Sequence, residues 1–148
     1  MKAIIQRVLS SDISVDNEII SKINKGFLVF LGVTHDDTID QVKELAKKII
    51  NLRIFNDNAG KMNLSIKDSG GEILVISQFT LYADCSHGNR PSFINAAKKE
   101  PAENLYNLFI EELKLYDLNI YSGVFGADMK VGLINDGPVT IILDADNI

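Results

Sequence analysis

Ser77-Gln78-Phe79-Thr80 follows an apolar run, Glu72-Ile73-Leu74-Val75-Ile76. Polar residues at the end of a buried strand are held by the sheet while the next loop admits a ligand. If strand geometry continues through them, Gln78 and Thr80 share one face and Ser77 and Phe79 the other. The Gln78 amide can then hold a carbonyl oxygen, and the Thr80 hydroxyl can attack or orient. A plain strand end, with Thr80 chosen for β propensity and Gln78 pairing backbone, explains the same residues. Hydroxyl nucleophiles need a base, usually a histidine set by a carboxylate. The chain has two histidines, His35 beside Asp36-Asp37 and His87 in the loop after the candidate strand. His87 is the better placed, and a solvated loop histidine accounts for it equally. A hydrolase built on these residues requires a substrate with an activated bond or its own assisting group.

The second stretch is Asn135-Asp136-Gly137-Pro138-Val139-Thr140, between the alternating Met129–Ile134 and the apolar Val139–Leu143. Asn, Asp, Gly and Pro each favour turns, so the stretch reads as a hairpin. Pro138 removes an N–H donor next to a buried strand, which a plain hairpin does not explain. A cis Gly-Pro bond would aim backbone carbonyls outward as a rigid acceptor patch suited to a ligand ammonium. An ordinary turn and a functional loop both remain open.

Other chemistries are disfavoured. Cys85 is the only cysteine and cannot form an internal disulfide, and one thiol with two histidines does not make a usual zinc site. No metal or cofactor is expected. A net charge of −5 argues against broad phosphate-backbone binding, so DNA is not an expected partner and any RNA contact is local. No apolar run reaches membrane-span length and the start of the chain lacks signal-peptide character, so a cytoplasmic protein with no membrane partner is expected.

These residues need a scaffold. Lys2–Leu9 alternates, with Ala3, Ile5, Arg7 and Leu9 on one side, and Asp12–Ile23 continues as a hairpin turning at Asp16-Asn17. Phe27–Val33 reads as a central strand buried on both faces. Asp36-Asp37-Thr38 supplies capping oxygens and negative charge for a helix with Ile39, Val42, Leu45, Ala46, Ile49 and Ile50 at helical spacing, and Lys47-Lys48 lie on its solvated face. Arg53-Ile54-Phe55 reads as a short strand and Asn56–Gly60 as a loop; Lys61–Ser65 is ambiguous. Pro101 opens a second amphipathic helix with Leu105, Leu108, Phe109 and Leu113 inward. With 148 residues, the expectation is one α+β domain, residues 1–148, with a largely antiparallel, barrel-like sheet of about seven strands and two amphipathic helices.

Ser77-Gln78-Phe79-Thr80-Leu81-Tyr82-Ala83 resembles the first signature of the D-aminoacyl-tRNA deacylases, and Asn135–Thr140 their second, Gly-cisPro, signature. Gln6-Arg7-Val8, Arg53-Ile54-Phe55, Gly60-Lys61-Met62-Asn63, Arg90-Pro91-Ser92-Phe93 and Phe125-Gly126-Ala127-Asp128-Met129 stand in that family's order, so the similarity spans the chain. The resemblance implies a homodimeric hydrolase that cleaves the ester between a D-amino acid and the 3′-terminal adenosine of tRNA. Such an ester is already activated and has a neighbouring ribose hydroxyl, which answers the missing base.

Carried over by residue, the resemblance implies that Ser77, Gln78, Phe79 and Thr80 line the pocket. Gly137 and Pro138 would enter it from the other subunit, meet the amino group and exclude an L side chain. Arg7 would brace their loop, and Phe125 and Met129 would lie along the adenosine, core packing being the other explanation for those two. His87 departs from the family, which often has a basic residue there, and this weakens any phosphate contact from that loop. Two alternatives remain. One is a non-catalytic RNA-end or partner-binding module on the same fold; the other is a deacylase that also accepts Gly-tRNA, because sterics that reject an L side chain do not reject glycine.

Overall fold

The computed structural model describes residues 1–148. Strand β1 (Lys2–Val15) turns through Asp16-Asn17 into β2 (Glu18–Ile23), and β3 (Gly26–Gly32) follows. Asp16 and Asn17 have φ of 50° and 67°. Two left-handed residues give a tight turn whose twist matches the strands, a conformation that Asp and Asn tolerate. Next come α1 (Ile39–Ile50), the short strands β4 (Phe55–Asn56) and β5 (Met62–Leu64), and the one-turn helix α2 (Ile66–Ser69). Strand β6 (Glu72–Ser77), helix α3 (Lys99–Lys114), β7 (Ile120–Ser122) and β8 (Lys130–Asp144) complete the chain.

The sheet runs β2-β1-β3-β6-β7, with β8 pairing β1 on its other side. Pairs made by β1 are antiparallel, while β3/β6 and β6/β7 are parallel. Ser21 Oγ of β2 donates to Ser122 O of β7 at 2.7 Å, which brings the two ends of the path together into a nearly closed barrel. Strand β3 is the expected central strand: Phe27, Val29 and Leu31 enter the larger core cluster beneath the helices, and Leu28 enters the smaller one inside the barrel. Strand β6 divides likewise, with Ile73 and Val75 outward and Leu74 and Ile76 inward. Gly26 permits this parallel pair to approach, because a Cβ there would lie 1.8 Å from Glu72 O.

Both amphipathic helices form on the outer face. Thr38 accepts from Gln41 N in a capping box, and α1 buries Val42, Leu45, Ala46, Ile49 and Ile50. Ile39, expected on that face, lies exposed in the first turn. Helix α3 buries Tyr106, Phe109, Ile110 and Leu113. Leu108, expected inward, is exposed because the 106/109/110/113 set centres the stripe one position away. The ambiguous Lys61–Ser65 holds β5, and the unexpected third helix, α2, follows it; Ser65 and Asp68 cap it reciprocally and its Ile66 is fully buried. The strand expected at Arg53–Phe55 lies slightly later, at β4, where Phe55 stacks on Phe27 with centroids 5.0 Å apart.

The hairpin expected at Asn135–Thr140 does not form. The chain never reverses there, since β8 runs antiparallel to β1 on both sides of the stretch. Gln6 pairs with Thr140 and Val8 with Asn135, so residues 136–139 bulge out opposite Arg7. Pro138 thus sits where no ladder bond is needed. A second register shift follows between Val8 and Ser10, and the intervening Leu9 is exposed instead of continuing the Ala3, Ile5, Arg7 face.

Candidate active site

Ser77 is the last residue of β6, and Gln78 N donates to Leu31 O at 2.7 Å as the chain leaves the sheet. Phe79–Tyr82 then form a 3-10 turn. Gln78 and Thr80 therefore meet through a turn, not through the pleat of a continuing strand, and Gln78 Nε2 donates to Thr80 Oγ1. No histidine or carboxylate hydrogen-bonds the Thr80 hydroxyl. His35 Nε2 donates to Ile94 O at 2.8 Å, and His87 makes no side-chain hydrogen bond in its exposed loop.

Beside this turn lies a largely apolar cleft of about 520 Å³, lined by Ser77, Gln78, Phe79, Phe125 and Met129 together with Phe93 and Tyr106. Thr80 adjoins the cleft through Phe79 and Gln78 and is not part of its wall. Phe79 is 57% exposed and meets Phe93 edge-on, centroids 5.0 Å apart at 70°. The segment carrying Phe93 is fastened to the end of β3: Ala97 N donates to Val33 O at 2.9 Å and Thr34 Oγ1 to Asn95 O at 2.6 Å. His35 belongs to this fastening.

Phe125 and Met129 show the core packing offered as one explanation for them, and they also border the cleft. Phe125 packs against Tyr106 at 5.5 Å and Met129 against the barrel cluster, while both also wall the cleft. Tyr106 is a wall residue that the sequence reading overlooked. Its hydroxyl donates to Val75 O at 2.9 Å, and burial pushes its phenol above the ordinary range. Its place three residues before Phe109 on the helical stripe was the available signal. For Phe93 the only signal was the Arg90-Pro91-Ser92-Phe93 match.

The remaining candidate residues, Arg7, Gly137 and Pro138, gather at the β8 bulge. The Gly137–Pro138 bond is cis, Gly137 has φ of 137°, and both residues are exposed. Arg7, 6% exposed, reaches across from β1: Nε donates to Asp136 O at 2.9 Å, Nη1 donates to Ile54 O at 2.6 Å, and Nε lies 3.3 Å from Asp136 Oδ2. Neither Gly137 nor Pro138 lines the cleft of its own chain. The far edge of β8 pairs with no strand, and Ile134 and Ile142 are exposed along it, Ile142 by 71%. No group of three His, Cys, Asp or Glu side chains is arranged to hold a metal ion.

The model of the D-Tyr-tRNA(Tyr) deacylase family matches residues 4–144. The chain belongs to that family. It is 58% identical over 144 residues to a D-aminoacyl-tRNA deacylase of Fusobacterium nucleatum subsp. nucleatum, covering 97% of this chain and 95% of the relative. It is 54% identical over 145 residues to a D-aminoacyl-tRNA deacylase of Clostridium novyi (strain NT), covering 98% and 97%. Among solved structures, the c-Myc DNA Unwinding Element Binding Protein superposes with a TM-score of 0.90 at 44% identity, over 97% of this chain and 98% of that one. The expected enzyme class, a hydrolase of the D-aminoacyl-tRNA deacylase kind, stands with this membership.

Proposed function

We propose that the protein hydrolyses the ester of D-aminoacyl-tRNA at a site shared between two copies of the chain, with the Gly137-Pro138 bulge of one copy facing the cleft of the other. The observation that carries this reading is the separation just described. The cleft has the size and apolar character of a small-molecule site, and the bulge is braced, exposed and outside its own cleft. Beside it runs an unpaired strand edge bearing exposed isoleucines, a surface that soluble proteins ordinarily cover. A two-fold pairing would present each bulge to the other copy and give two equivalent sites.

In this arrangement the terminal adenosine lies along Phe125 and Met129, with Phe79 and Phe93 offering aromatic faces to the base. The Gln78 amide and Thr80 hydroxyl address the ester, and Ser77 lines the floor. No protein base is required, because the aminoacyl ester is activated and the vicinal ribose hydroxyl assists its hydrolysis. The protein positions the ester and excludes competing geometries. Backbone carbonyls at the bulge receive the substrate ammonium, and the bulge occupies the space that an L side chain would enter. Glycine has no side chain to reject, so some hydrolysis of Gly-tRNA accompanies the main activity. The 44%-identical structure is named for binding a DNA element, but a net charge of −5 offers little hold on a duplex backbone. The expected partners therefore remain the tRNA 3′ end and a second copy, in the cytoplasm where charged tRNA is used.

A deacylation assay comparing D-Tyr-tRNA, L-Tyr-tRNA and Gly-tRNA, run with sedimentation of the same sample, tests the reading. Fast release from D-Tyr-tRNA, slow release from L-Tyr-tRNA and a dimer are expected. Efficient hydrolysis of L-Tyr-tRNA, or a fully active monomer, would refute it.

A further inference from the structure

We propose that Asn135 is a positioning residue for chiral selection, its side-chain amide replacing the strand partner that the bulge lacks; this rests on the shared-site reading above. Asn135 Oδ1 accepts from Val139 N at 2.7 Å, and Asn135 Nδ2 donates to Val139 O at 3.3 Å. One side chain thus engages both backbone groups of Val139 across the base of the bulge, at a residue to which β1 offers no pairing. The same Nδ2 lies 3.3 Å from Thr140 Oγ1, which also accepts from Gln6 Nε2 at 3.3 Å. The second amide comes from β1 at the register where regular pairing resumes.

The bulge is therefore held at both feet. Arg7 takes the carbonyl of Asp136 where the chain departs, and Asn135 takes Val139 where it returns. Only Gly137 and Pro138 stand free between them, and neither is held by a side-chain hydrogen bond. An asparagine favouring a turn through local bonds explains the contact as stability alone. Two features go further. The amide supplies an acceptor and a donor to the same residue from two separate atoms, where an ionised Asp offers no donor and a Ser or Thr hydroxyl has only one atom for both bonds. The segment it ties down also buries little and contributes little to the core, so the effect of holding it appears in its position. Steric rejection depends steeply on where the wall stands, and a shift on the order of 1 Å is enough to change reaction rates about 100-fold.

Two readouts on Asn135→Ala and Asn135→Asp test this. In Asn135→Ala, amide exchange at Val139 should accelerate at least about 10-fold while the Val29 and Val75 amides in the sheet centre keep their protection. The ratio of kcat/KM for D-Tyr-tRNA over L-Tyr-tRNA should fall at least about 10-fold. Asn135→Asp keeps an acceptor for Val139 N, so it should retain the Val139 protection and recover part of the ratio. Unchanged Val139 exchange in Asn135→Ala, or faster exchange with an unchanged ratio, overturns the proposal alone. A wild-type enzyme without preference for D-Tyr-tRNA overturns it together with the shared-site reading, which keeps the two failures distinct.

Discussion

Gly137→Ala is expected to abolish most D-aminoacyl-tRNA hydrolysis while leaving the fold in place. At φ of 137° a β-carbon is strained whatever the space around it, at about 1–3 kcal/mol. Space is also lacking. The new Cβ would lie 2.7 Å from Val139 Cγ2 and 3.1 Å from both Val139 N and Arg7 Nη2. The valine is β-branched and stiff at χ1, and its nitrogen is held by Asn135, so neither yields cheaply. Overpacking of this kind costs about 1–3 kcal/mol. Together these amount to about 2–6 kcal/mol, a large share of the 5–15 kcal/mol that holds a domain folded. The bulge is exposed and adds little to the core, so the strain displaces the bulge rather than the sheet and only part of this cost reaches global stability. Thermal unfolding should fall by only a few degrees. In single-turnover assays the D-Tyr-tRNA rate should drop about 100-fold or more. A variant with wild-type rate and wild-type D-over-L preference would refute the reasoning, because the close contacts leave Gly137 no way to carry a methyl without moving.

The other predictions concern the ester and two phenols, one buried and one half-buried. Thr80→Ala should keep measurable activity, with a loss of about 10–100-fold or roughly 1.4–2.8 kcal/mol. The Thr80 hydroxyl accepts from Gln78 and faces no base, whereas losing an activated nucleophile costs several orders of magnitude; trapping an aminoacyl-Thr80 ester would overturn this. Tyr82 and Tyr106 have phenols raised by burial, with Asp37, Asp144 and Asp146 adding repulsion at Tyr82. A raised pKa means that the fold favours the neutral phenol, so this stability is complete below pH ~10 and is lost as pH rises beyond it. Part of the 295 nm absorbance change should therefore appear only with loss of circular dichroism above that range, and a full reversible change in the native state would contradict it. Tyr106→Phe should reduce that coupled fraction at a cost of about 1 kcal/mol, since Gly123 N also donates to Val75 O and keeps that carbonyl paired.

Where side chains carry the signal, the sequence was legible. The unbroken apolar run of β3, the helix start at Asp36-Asp37-Thr38 and the Asp16-Asn17 turn each follow from one local rule and each formed, with Thr38 as the capping residue of the three. Failures occurred where a local rule met a tertiary one. Polar Ser77-Gln78 signalled the end of β6 but not the turn that follows, so Gln78 and Thr80 were brought together for the wrong reason. Asn, Asp, Gly and Pro in sequence signal departure from a ladder without saying whether the chain reverses. A hairpin and a bulge use the same residues, and only pairing with distant β1 separates them. The cleft's Tyr106 and Phe93 come from α3 and a long loop, and their meeting depends on the helix layer that no local pattern describes.

Strand β1 shows why the bulge belongs to the fold as well as to the site. Ala3 and Ile5 face the helix layer, and Val8 lies on the other side, as alternation requires. Ile13 also faces the barrel interior, although its odd position would return it to the helices if pairing ran straight. The exposed Leu9 is the extra residue that flips the face, and it lies two residues from Arg7. A one-residue slip exchanges every side chain between the faces of a sheet, so this change of face is what lets one strand serve the helix layer with its first half and the barrel with its second. The two irregularities flank Val8, and together they leave a break in the β1/β8 ladder that backbone alone cannot satisfy. Arg7 and Asn135 fill it from either strand with side-chain hydrogen bonds. The device assigned to chiral selection thus stands where the fold already had to interrupt its ladder, and its rigidity comes from the same bonds that make the interruption tolerable.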